Sequence, residues 1–158
     1  MEPESFQFEV DFMEDGMRCI PMAARLRLDL CGVKLRLSEW SKMTDAEKKK
    51  VTTWPYGLPG ERNECRDFLK AIVLERTNRE AVLLPCTGDL PWADTSVVPG
   101  VVEVKMAEFG WELSLSEWRS YTDLQRFALV KLTRPGHENR NFPRAVLEFR
   151  KTQLVPVI

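Results

Sequence analysis

The tetrapeptide LSEW occurs twice, at Leu37-Ser38-Glu39-Trp40 and at Leu115-Ser116-Glu117-Trp118, and this constrains the fold more than anything else in the chain. The 78-residue shift that carries Ser38 onto Ser116 also carries Pro21 onto Pro99, Gly32 onto Gly110, Leu35 onto Leu113 and Thr44-Asp45 onto Thr122-Asp123. After a small deletion the match resumes, with Pro59-Gly60 against Pro135-Gly136 and Phe68-Leu69-Lys70-Ala71 against Phe142-Pro143-Arg144-Ala145. So many coincidences in one alignment point to an internal duplication, with a first repeat over 20–77, a linker over 78–97 and a second repeat over 98–151.

Each shared residue suits a local task. Pro21 and Pro99 belong in a first helical turn, where a missing N–H costs nothing, and Gly32 and Gly110 at the left-handed position past a helix end. Thr44 with Glu47 and Thr122 with Gln125 each spell a capping box, predicting helices over 45–54 and 123–132. Ser38 and Ser116 read as N-caps of short turns that bring Trp40 and Trp118 to the core, which makes LSEW a structural corner. After each Pro-Gly turn the apolar spacing predicts a last helix, over 62–76 and 141–151. Between the repeats Pro85, Gly88, Asp89, Pro91 and Asp94 mark a surface linker that Trp92 ties down. The segment FQFEVDF alternates and predicts a short N-terminal strand or an extended arm. The expected architecture is mostly α, one domain over 1–158 built as an internally duplicated helical bundle with two pseudo-equivalent halves.

The halves differ in chemistry. Asp45-Ala46-Glu47-Lys48-Lys49-Lys50 predicts a solvated face where Asp123-Leu124-Gln125-Arg126-Phe127-Ala128 predicts an apolar one. A net charge of -1 with no basic stripe speaks against nucleic acid, despite a superficial likeness to helix-turn-helix, and no apolar run reaches the roughly 20 residues of a membrane span. Cys19, Cys31, Cys65 and Cys86 are scattered, with no C-x-x-C and one histidine in the chain, so buried free thiols are expected rather than zinc. The acidic N-terminus lacks signal-peptide character, and the expected location is the reducing cytoplasm.

The most unusual string is LTRPGHENRNFPRA, residues 132–145, which gathers Arg134, His137, Glu138, Asn139 and Arg140 around a Pro-Gly turn. Such a cluster could hold an anion or move a proton through His137. The plainer reading is a loop whose polar side chains cap the next helix. No phosphate loop or nucleophile elbow is present, and no constellation makes a case for an enzyme.

With FQFEVDF and MRCIPM, the GVKLRLSEW corner and above all LQRFALVKLTRPGHENRNF, the chain resembles the nitrate reductase-associated proteins over nearly its whole length. The resemblance implies a non-catalytic factor for nitrate reductase maturation, binding the apo-enzyme while a cofactor is inserted. The surface expected to contact the enzyme is Arg126 with Arg134, His137, Glu138, Asn139 and Arg140. The alternative is a carrier that holds the molybdenum cofactor transiently through the Arg/His loop; no resident cofactor or metal is otherwise implied, and the oligomeric state is left open.

Overall fold

The computed structural model describes residues 4–13, 19–85, 90–135 and 137–154. The chain divides into two compact units, 1–88 and 89–158.

The first unit begins with helix α1 (Gln7–Met13), where the alternation of FQFEVDF predicted a strand or arm. What the alternation concealed is a cap. Phe6, Phe8 and Glu9 are all buried, the two rings stack at 5.3 Å, and the Glu9 carboxylate accepts the Met22 N–H at 2.7 Å and the Phe6 N–H at 3.3 Å. That places an anion on the first turn of α2 (Met22–Cys31), whose N-cap, Pro21, has no side chain able to accept a hydrogen bond. Pro21 thus sits one position earlier than expected, as does Pro99 before α6 (Gly100–Ala107). α2 ends as its sequence dictates: Gly32 is left-handed at φ 73° and donates to Leu28 O at 2.9 Å.

Val33–Lys34 (β1) then pairs antiparallel with Val82–Leu83 (β2), in the register Val33 to Leu83 and Lys34 to Val82. The short helix α3 (Leu37–Ser41) carries the first LSEW and delivers Trp40, fully buried, into a core shared with Leu28, Val33, Val51, Leu69 and Ile72. Its N-cap is Arg36, not Ser38; the Glu39 carboxylate accepts the Arg36 N–H at 2.8 Å. α4 (Asp45–Thr52) opens with the expected capping box, Thr44 Oγ1 accepting the Glu47 N–H at 3.1 Å and Glu47 Oε1 the Thr44 N–H at 2.8 Å. The lysine run is not a uniformly solvated face. Lys48 is buried with its ammonium over the Trp40 ring, and Lys50 lies over Phe68 and Trp54, so apolar stems cover aromatic surface.

Pro59-Gly60 is not a turn before the last helix but the first turn of α5 (Pro59–Thr77), with the Glu61 carboxylate accepting the Leu58 N–H at 2.9 Å. At the far end Arg76 forks onto Glu47 with bonds of 3.0 and 2.9 Å and donates to Lys42 O, tying the end of α5 to the start of α4. The Thr44 amide, the Thr44 hydroxyl and Arg76 together hold the Glu47 carboxyl below the usual range.

The second unit opens with a 3-10 turn, Pro91–Ala93, that seats Trp92 edge-on against Phe127 at 6.1 Å. In α6 the buried positions are Val102 and Met106, four apart, while Val101 and Val104 face out. Gly110 follows, left-handed at φ 71°. α7 (Leu115–Ser120) carries the second LSEW; its cap is Ser114, whose hydroxyl accepts the Glu117 N–H at 3.1 Å, rather than Ser116. Trp118 is fully buried and donates to Asp94 O at 3.0 Å. Glu117 accepts the Tyr121 hydroxyl and binds Arg150 at 2.8 Å; burial first, then this carboxylate, pushes the Tyr121 phenol up.

α8 (Asp123–Lys131) repeats the capping box through Thr122 and Gln125 and buries Leu124, Phe127, Ala128 and Leu129. A second 3-10 turn, His137–Asn141, runs into α9 (Phe142–Leu154), where Phe142, Ala145, Val146 and Phe149 form the inward stripe. Among the described residues, no helix is long and apolar enough to cross a membrane.

Candidate functional site

The polar string 132–145 splits into structural and exposed members. Arg126, named with the contact candidates from the sequence, is buried rather than exposed. It is 6% exposed, and its guanidinium donates to Trp92 O at 2.8 Å, to Tyr121 O and to the Asp123 carboxylate at 2.5 Å. Its three partners lie in or beside the 3-10 turn and the start of α8, so the charge serves to fasten that turn to the helix.

Arg134, by contrast, is exposed at the end of α8, and Arg140 is exposed in the following 3-10 turn. Among the described residues neither guanidinium has a carboxylate partner. Asn139 shapes the loop, its Nδ2 donating to Arg134 O at 3.1 Å, while Thr133 closes α8 by donating to Val130 O at 2.6 Å. The backbone of His137 and Glu138 opens the 3-10 turn; their side chains, and Gly136 altogether, lie outside the described residues. Asn141 is buried, and its Oδ1 has no hydrogen-bond partner among the described residues.

Beside this loop runs a groove of about 570 Å³, with Val101, Val104 and Lys105 of α6 and its C-cap Glu108 on one side and Thr133, Arg134, Pro135 and Asn139 on the other. Val101 is 55% and Val104 67% exposed, and Val97, in the bend ahead of α6, is 55%. Lys105 is neutralised locally by Glu108 at 2.7 Å. The groove therefore offers aliphatic surface with one uncommitted positive charge, Arg134, on its rim. Sequence reasoning missed the valines. The signal was present: in GVVEVKMAEFG, Val101, Val102 and Val104 cannot share one helix face, so if Val102 and Met106 turn inward the others turn out.

No three His, Cys, Asp or Glu side chains converge into a metal-holding group among the described residues. Cys31 and Cys65 are buried in the first unit and Cys19 is half-buried, all three as free thiols; Cys86 lies outside the described residues.

Fold and face define a class: a small, mostly helical protein with an aliphatic, arginine-rimmed groove on its second unit. The family model described as "Conserved nitrate reductase-associated protein" matches residues 5–149, and the chain belongs to that family. No curated protein and no solved structure matches it.

Proposed function

We propose that this chain is a non-catalytic accessory protein of nitrate reductase, which binds the apo-enzyme in the cytoplasm during cofactor insertion, and that the enzyme docks on the groove between α6 and the Arg134 loop. The observation that carries the docking site is the juxtaposition of two open valines with an arginine that has no carboxylate partner among the described residues. An aliphatic segment of the enzyme bearing a carboxylate would cover the first and pair with the second. The description of the family as nitrate reductase-associated supports this choice of partner.

The same reading treats the two units as diverged copies. Both pass from a proline N-cap through a left-handed glycine, a tryptophan corner and a threonine-capped helix to a long last helix. The copies differ where a partner surface would be kept: α2 buries Met22, Ala23, Ala24, Leu26, Leu28, Leu30 and Cys31, whereas α6 buries only Val102 and Met106.

The test is a pull-down with tagged protein from nitrate-grown cells, the bound fraction assayed for reductase and for molybdenum. Apo-reductase without molybdenum is the expected catch. Val104→Asp, and separately the double reversal Arg134→Glu with Arg140→Glu, should each lose it while retaining the native circular dichroism spectrum. Capture unaffected by folded variants would remove the groove from the proposal; molybdenum retained without reductase would replace client binding by cofactor carriage.

A further inference from the structure

The open face of α6 carries charges that say what can cover it in the free protein. A helix turns about 100° per residue, so with Val102 and Met106 directed inward, Val101 and Val104 look out. Val101, Val104 and Glu108 follow one another at steps of three and four, the spacing of a seam between two helices packed nearly parallel. Gly100 and Ala107 are exposed on the same side and add little bulk; a Cβ on Gly100 would meet nothing within 4 Å. A second helix can therefore come close.

The two edges of this face are oppositely charged. Beyond Lys105 on one edge stands the 133–139 loop with Arg134, and Glu103, two residues before Lys105, lies on the opposite flank of the helix. Glu103 and Arg134 are both exposed, and neither has an oppositely charged partner among the described residues, whereas Lys105 is held by Glu108 at 2.7 Å. Within one chain α6 stands between them. A two-fold axis running along α6 would bring two such faces together with their edges exchanged, setting each Arg134 against the Glu103 of the other copy. An axis across the helices would match like charges instead.

We propose that the free protein self-associates through this face, as a two-fold dimer in which the α6 helices pack nearly parallel, valine against valine, and each Arg134 pairs with the Glu103 of the second copy. The valines supply the affinity and the ion pairs the orientation, since exposed pairs are individually weak. An eight-residue helix such as α6 is only about 12 Å long. The buried area is accordingly small and the dimer dissociates readily. That reversibility governs the groove: the dimer covers Val101, Val104 and Arg134, so the second copy competes with nitrate reductase, which binds the monomer. The competition rests on the reading of this groove as the enzyme's docking face; the self-association does not.

The experiment is sedimentation-velocity ultracentrifugation of the full chain from about 1 µM to about 1 mM, where the monomer should give way to the dimer as concentration rises. Val104→Asp, with a native circular dichroism spectrum, should weaken dimerisation at least about tenfold. Arg134→Glu alone and Glu103→Arg alone should each weaken it by setting like charges together, while an equimolar mixture of the two should restore a dimer in which both pairs are again opposite in sign. A wild-type chain that stays monomeric throughout would overturn the proposal, leaving the groove to the reductase alone if the pull-down still captures it. A dimer that Val104→Asp leaves intact would overturn it by placing the contact elsewhere, and so would charge variants that the mixture fails to rescue. A dimer that behaves as expected, from a chain that captures no reductase, would sink only the client reading.

Discussion

Arg126 and Glu47 both do their work through hydrogen bonds that the linear sequence does not display. Truncating Arg126 to Ala strands the carbonyls of Trp92 and Tyr121 in the interior and removes the stem that packs beside them. The expected cost is about 2 to 4 kcal/mol, measured by urea denaturation. Glu47 makes a pH-dependent contribution. Its folded pKa lies below that of an ordinary glutamate, so the stabilisation is fully present above the unfolded pKa and is lost as pH falls through the folded pKa. The stability difference between the wild type and Glu47→Gln should therefore shrink as denaturation is repeated from about pH 6 down to about pH 3. At this scale Arg134 and Arg140 were legible as exposed polar residues because their loop is rich in Pro, Gly and Asn. Arg126 was not, because whether an arginine on an amphipathic helix turns in or out depends on what lies opposite, here the carbonyl of a 3-10 turn 34 residues away.

Among the elements, the glycines separate backbone requirement from space. Gly110 has nothing within 4 Å of a would-be Cβ, yet it sits at φ 71°, so Gly110→Ala meets only the left-handed penalty. That should destabilise by about 1 kcal/mol. Gly60 also has open space around it but lies in the first turn of α5, so Gly60→Ala should stabilise by about 0.5 kcal/mol, chiefly by restricting the unfolded chain. Thermal melts of the two variants should move in opposite directions. The threonine capping boxes and the left-handed glycines were readable in advance, since each is a contact within a few residues. The N-caps Arg36 and Ser114 fell two positions before the serines of LSEW through equally local contacts with Glu39 and Glu117, whereas FQFEVDF became helix α1 where a longer-range contact overrode the local pattern. For α1 that contact is Glu9 on the Met22 amide.

At the scale of the whole molecule, the proposed docking mode combines aliphatic contact with arginine–carboxylate pairing, and these respond differently to salt. Raising ionic strength should slow association with the reductase on the order of tenfold while leaving dissociation much less changed, measured by surface plasmon resonance. Val104→Asp should instead accelerate dissociation. The groove itself was invisible in advance, because it is formed by residues near 101–108 and 133–139 that meet only once α6 and α8 have packed.

What the sequence determined by itself are the features that a few neighbouring residues decide: helical class, the capping boxes on α4 and α8, the left-handed glycines, and the buried tryptophan of each LSEW corner. Only the tertiary structure decided which charged residues are buried and which are exposed, and that α6 keeps two valines open while α2 closes its faces. The reason is physical: capping and backbone preference act over one helical turn, whereas burial and pairing depend on groups brought together from distant parts of the chain.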